Sequence, residues 1–389
     1  MNTHHPDNRA WEAAMSRDFD ARVRDLHEAP LDLTVVKGRA RRIRRNRRAA
    51  VAGGVLGVAA VVTPIGVLAG GGDTDSRQPD FAPEPTEQVS GPDYVIDRVW
   101  HQADGDVVAL PDRDYTNMVL WDDQLVATAY SGEVFSTADV ISGEGEVVDS
   151  FETTWSPVVD EAGATLAWVG VDGSVTVAWD GGEAVLGTVD LGAAGEGIAW
   201  EATAVTGGPD CDAADSACTV YVDNNSGGRP LAFRADGTSD NPVPGALSYK
   251  DATEDGRVTV MDEITDFETC SGVYDLAAGD HVWRGCEFQA WQVSPDGDHV
   301  AGLPSYFDGL GPTSISVLDA ATGEETGRWA ADGAFVADWA WTADGRLAFT
   351  AYDGARWHLY AMAPDGEVEE LAPALSGNEM DSPFRLIHR

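Results

Sequence analysis

Residues 291–303 read WQVSPDGDHVAGL, and residues 314–329 read SISVLDAATGEETGRW. A large aromatic opens an apolar run, an Asp-Gly turn interrupts it, and a second run ends on another turn. The same texture holds on either side. Val175, Val177 and Trp179 alternate with Ser174, Thr176 and Ala178, and Leu347 and Phe349 alternate with Arg346, Ala348 and Thr350. Period-two alternation puts one set of side chains on a buried face, which is the mark of antiparallel strands. Eleven Asp-Gly pairs follow residue 93, among them Asp172-Gly173, Asp255-Gly256, Asp296-Gly297 and Asp344-Gly345. Asp-Gly suits hairpin turns because both positions tolerate positive φ. No helical stripe occurs over residues 94–389, so this region is all-β.

The runs keep a beat. Aromatics that open apolar runs stand at Trp121, Trp155, Trp200, Tyr249, Trp291, Trp341 and Phe384, spaced 34 to 50 residues apart. A four-stranded propeller blade takes ~40–50 residues. A two-sheet sandwich would explain the strands but not the beat. Residues 291–303 with 314–329 resemble the WD40-like and TolB-like propeller repeat, whose pattern is Trp, Ser-Pro-Asp-Gly, strand, then a strand ending in Asp-x-x-Thr-Gly. A weaker copy follows as WTADGRLAFTAYDG and HLYAMAPDGEV. The resemblance implies a β-propeller over residues 94–389. Phe384 opens a blade with almost no chain after it, while residues 94–110, YVIDRVWHQADGDVVAL, supply strands before the first anchor. Joining SPFRLI to those strands closes a ring and removes its exposed edges. We therefore expect seven blades, with six or eight as the alternatives.

The charge is divided unevenly. The 389 residues carry 66 acids against 25 Lys and Arg, a net charge of −41. Residues 1–48 hold 12 basic residues and 7 acids, whereas the chain after residue 72 holds 13 and 59. A nucleic-acid surface on the propeller is excluded, since phosphates would be repelled. Only two lysines occur, Lys37 and Lys250.

Residues 49–69, AAVAGGVLGVAAVVTPIGVLA, carry no charge, and a helix of that length covers a ~30 Å hydrocarbon core. KGRARRIRRNRR precedes this stretch and GGGDTD follows it. The positive-inside rule keeps the N-terminus cytosolic and exports the acidic part. A twin-arginine-type signal cleaved after Val67-Leu68-Ala69 is the alternative to a retained anchor. The expected organisation is a cytosolic stub over 1–48, a transmembrane helix within 49–72, a Pro-rich linker over 73–93 and an exported propeller over 94–389. In the stub, Trp11, Met15, Phe19, Val23 and Leu26 recur at spacings of four, four, four and three, one face of a helix with no core of its own. That face suits a protein partner or the membrane, and the arginine cluster suits anionic lipid. An N-terminal helix, PLDLTVV, an arginine run and one Ala-rich span resemble actinobacterial single-pass membrane proteins, some related to anti-sigma regulators. The zinc motif of those regulators is absent, since residues 1–48 contain no Cys.

Cys211, Cys218, Cys270 and Cys286 all fall on the exported side, where an even count favours disulfides. Cys270 and Cys286 flank VYDLAAGDHV, a hairpin that sets them opposite each other with Tyr274 facing Val282. Cys211 and Cys218 bracket the polar loop CDAADSAC. The expected bridges are Cys211–Cys218 and Cys270–Cys286.

Signatures of catalysis are sparse. There is no Gly-x-Ser-x-Gly elbow, P-loop or dinucleotide fingerprint, and His101, His281, His299, His358 and His388 recur at no fixed phase of the repeat. No catalytic, cofactor or metal residues are assigned. Calcium is the one cofactor considered, at Asp104-Gly-Asp106 and Asp296-Gly-Asp298. The leading expectation is a non-enzymatic, membrane-anchored binding, scaffold or sensory module that signals through its stub. The alternative is an exported hydrolase or lactonase-type enzyme with a carboxylate-lined metal site.

Overall fold

The turns show how the strands are joined. At Asp172-Gly173 only the glycine takes positive φ, 83°, and a Cβ there would meet the Val189 carbonyl oxygen at 2.4 Å. The Gly173 amide donates to the Gly170 oxygen and the Gly170 amide to the Ser174 oxygen, while the Asp172 carboxylate caps the Ser174 amide at 3.0 Å. Asp-Gly therefore acts as a turn followed by a left-handed glycine, and the aspartate serves as a side-chain cap rather than a positive-φ residue. Two described hairpin turns hold both central residues at positive φ without glycine, Asp97-Arg98, at 50° and 65°, and Asp122-Asp123, at 46° and 61°.

The computed structural model describes residues 92–389, apart from 131–134, 193–199, 209–210, 214–215, 225–228, 266–267 and 308–309. Its strands form seven four-stranded antiparallel sheets. Blades 1 to 6 occupy residues 115–153, 158–188, 201–240, 248–285, 288–330 and 335–376. Blade 7 is composite, in the order Phe384–Leu386, Tyr94–Ile96, Val99–His101, Val107–Ala109. The fold is a seven-bladed β-propeller whose ring closes through its C-terminal strand. Beyond that strand, the Ile387 amide donates to the Asp93 oxygen and the His388 amide to the Met118 oxygen, and the Leu120 amide donates to the His388 oxygen. The closing segment thus stitches blade 7 onto blade 1. Among the described residues no helix is long and apolar enough to cross a membrane. The helix face of Trp11 to Leu26, the arginine cluster, the apolar stretch 49–69 and nearly all of the linker lie outside the described residues.

Packing repeats from gap to gap. The seven apolar clusters each bridge two adjacent blades. Between blades 6 and 7, for example, Phe335, Trp357 and Leu359 meet Phe384 and Leu386. Each fully buried side chain of this size contributes about 1.5–3 kcal/mol. The repeating aromatics sit at different phases of the innermost strand. Trp155 and Trp200 precede it, Tyr249 and Trp291 lie within it, and Trp121 and Trp341 close it. Several of them bond through the indole. Trp121 Nε1 donates to the Ala164 oxygen of blade 2 at 3.1 Å, and Trp341 Nε1 to the Gln292 oxygen of blade 5 at 3.0 Å.

The cysteines form Cys211–Cys218 and Cys270–Cys286. The second hairpin differs in register from the sequence count. Tyr274 pairs with His281, not Val282, and a bulge then brings Val273 opposite Trp283 and Ser271 opposite Gly285. The extra residue restores the offset that sets Cys270 against Cys286.

Phe384→Ala should cost about 3–5 kcal/mol, because Phe384 is fully buried and its loss also weakens ring closure. Urea unfolding followed by circular dichroism measures this. Replacing either cysteine pair with alanines should lower stability by about 2–3 kcal/mol in the same assay.

Candidate functional site

A central channel of about 490 Å³ is lined by the innermost strands of blades 1 to 6 and the loops beside them. His388 and Arg389 of the closing segment, just beyond the Phe384–Leu386 strand of blade 7, complete its wall. Bulges on several inner strands set what points inward. In blade 4 the register skips Lys250 between Tyr249 and Asp251, and in blade 6 it skips Ala337 between Val336 and Asp338. A bulge re-aims side chains locally, which brings charged residues to a wall that alternation alone would keep apolar.

Two of the channel carboxylates are taken up by backbone. Asp251 Oδ1 accepts from the Ala252 amide and Oδ2 from the Val293 amide of blade 5, both at 2.8 Å. Asp338 Oδ1 accepts from the Trp339 amide at 2.9 Å and Oδ2 from the Leu386 amide of blade 7 at 3.2 Å. His388 Nε2 lies 3.4 Å from Asp338 Oδ1, and its Nδ1 is 3.1 Å from Gln292 Nε2. Burial pushes the Asp251 carboxyl up to about 7, against the pull of its two amide donors. Glu161 is raised by burial and then by Glu254 and Asp255.

The aromatic part of the wall centres on Trp291 and Trp339, edge to face with centroids 5.1 Å apart. Lys250 Nζ stands 4.9 Å from the Trp291 centroid and 3.9 Å from Asp223 Oδ2. Asp223 is buried, accepts a hydrogen bond from the Ser248 hydroxyl, and leaves Oδ1 without a partner. Burial raises its carboxyl above the ordinary range.

Of the five histidines in the propeller, only His388 lines the channel. His358 lies between Asp353 and Glu370 in blade 6, on the third strand. The acidic loops considered for calcium use their carboxylates as turn caps, Asp104 on the Asp106 amide and Asp296 on the Asp298 amide. No group of three His, Cys, Asp or Glu side chains placed to hold a metal occurs among the described residues. Sequence reasoning did not single out Asp251, Asp338 or Trp339. The one legible signal was the isolation of Lys250 as the only lysine after Lys37.

No family model matches the chain, and no curated protein matches it. Solved structures do resemble it. The β-propeller domain of Cps50 (Swd1) from Myceliophteria thermophila is 9% identical, with a TM-score of 0.48 over 69% of this chain and 89% of that one. The oligogalacturonate lyase of Vibrio parahaemolyticus is 13% identical, with a TM-score of 0.42 over 67% and 78%. BamB from Moraxella catarrhalis is 16% identical, with a TM-score of 0.38 over 69% and 77%. These likenesses concern the fold alone.

The raised Asp251 carboxyl has a stability consequence. Its folded value lies above its unfolded one, so its contribution is full below about pH 4 and declines as the pH rises towards about 7. The stability difference between the parent chain and Asp251→Asn should therefore favour the parent most near pH 4, shrink up to about pH 7 and level off above it. Urea unfolding of both proteins across that range measures the slope. Parallel curves would remove Asp251 from the account.

Proposed function

We propose that the chain is a single-pass membrane protein whose propeller lies outside the cytosol and serves as a binding or scaffold module. The observation that carries the binding reading is the channel. It combines Trp291, Trp339 and apolar wall residues with carboxylates, at Asp251 and Asp338, whose oxygens are spent on backbone amides. Carboxylates used in this way hold the wall in shape and leave the cavity for a ligand. The two disulfides and the basic-to-acidic change across residues 49–69 favour the exported side. In this reading residues 1–48 stay in the cytosol, with Trp11, Met15, Phe19, Val23 and Leu26 engaging a protein partner and the arginine cluster resting on anionic lipid.

Topology and binding are tested separately. Protease added to intact cells should remove the propeller and spare the stub, whereas protection of the propeller would overturn the topology. For binding, the detergent-solubilised full chain is screened by thermal shift against a diverse small-molecule panel. Compounds should raise Tm without being consumed, and Ala337→Trp, at the exposed bulge position of the blade 6 wall, should abolish those shifts. Turnover of every compound that binds would favour the hydrolase alternative. Shifts unaffected by Ala337→Trp would remove the channel as the site.

A further inference from the structure

Two cations stand in the acidic channel wall, Arg389, which is paired with Asp93, and Lys250. Lys250 is the only lysine of the propeller, and it occupies the unpaired bulge position of an inner strand at the channel wall. Its side chain is only 13% exposed, with the stem covered by the wall. Among the described residues the one carboxylate oxygen within 4.0 Å of Nζ is Asp223 Oδ2, at 3.9 Å, beyond hydrogen-bond distance. An ammonium carries three donors, and here the Trp291 ring takes up only one side of it.

The other acids of the wall lie further off. Asp251 and Asp338 have both oxygens on backbone amides, and Glu161 and Glu201 line the channel without a carboxylate oxygen within 4.0 Å of Nζ. Asp223 is itself raised by burial, against the pull of the Ser248 hydroxyl and of the Lys250 charge. The channel therefore pairs a partly desolvated cation that has free donors with an adjoining aromatic corner, Trp291 against Trp339. An isolated ammonium at such a position is satisfied by an anionic acceptor, and a planar or apolar body is what the indoles would pack.

We infer that the channel binds an organic carboxylate with an aromatic or apolar body, its carboxylate accepting hydrogen bonds from Lys250 Nζ and its body packing on Trp291 and Trp339. This rests on the binding-module reading and names the ligand class for it. Lys250 supplies selectivity for charge, and the tryptophans supply affinity that does not depend on charge. The cavity, at about 490 Å³, falls within the range of small-molecule sites of ~300–1,000 Å³.

Three probes with one body separate the contributions: indole-3-acetate, its neutral amide indole-3-acetamide, and the cation tryptamine. Each is titrated calorimetrically into the detergent-solubilised full chain. The acetate should bind at least tenfold more tightly than the amide, and tryptamine should bind most weakly. Lys250→Gln should abolish the tenfold preference while leaving the amide unchanged, and Lys250→Arg should restore most of it. Trp339→Leu should weaken acetate and amide by the same factor. Thermal unfolding of each variant establishes that it is folded. Equal binding of acetate and amide, preference for tryptamine, or a preference that survives Lys250→Gln would overturn the inference. If none of the three probes binds, the carboxylate assignment falls. The binding-module reading is then judged on the thermal-shift screen and Ala337→Trp, which do not depend on Lys250.

Discussion

The structure depends on apolar contact between the faces of neighbouring blades. A single four-stranded sheet cannot bury both of its faces, and one alone would be marginal in water. Here each blade lends one face to the gap before it and the other to the gap after it, and seven clusters fill seven gaps. Closure matters more than any one cluster, because an open ring would leave two sheet faces uncovered. That is why Phe384 and Leu386 pack against blade 6 while their strand pairs with Tyr94–Ile96. Directional bonds then fix the angle between neighbours. Asp251 reaches the Val293 amide and Asp338 the Leu386 amide, so these channel residues serve the frame as well as the cavity.

Much of the fold was legible because propeller architecture is periodic. The aromatic beat, the alternation and the leftover strands at the two ends together led to a seven-membered ring closed by SPFRLI, which is the observed topology. What the sequence did not reveal was local. Counting outward from a hairpin centre put Tyr274 opposite Val282, because a bulge leaves no mark in a pattern of Val, Trp and His. The described Asp-Gly pairs lie at turns, yet only the glycine adopts positive φ. The functions of the two residue types separate once side-chain capping is considered.

The channel was less legible for the same reason. Its polar residues come from bulges and from the closing segment, and neither follows the repeat. Asp251 and Asp338 look alike in sequence to dozens of other acids, and only their amide partners set them apart. Lys250 is different. Its rarity was visible at once, but its meaning depends on Trp291 and Asp223, both distant in the chain. The wall stays acidic like the domain, with Glu161, Glu201, Asp251 and Asp338 against Lys250 and Arg389. What the average does not show is where the one lysine sits among them.

The composite blade also imposes an order of events. The ion pair between Asp93 and Arg389 joins residues 296 positions apart, and Tyr94–Ile96 meets its partner strand across nearly the same distance. During synthesis the first strands of blade 7 must therefore wait, with one edge unpaired, until all the other blades have emerged. Such long-range closure is slow, and a waiting edge invites pairing with the wrong chain. The three strands that wait are each only three residues long, which leaves little edge to recruit another molecule. Their brevity protects the unfinished ring, and the closing segment compensates by extending its contacts onto blade 1.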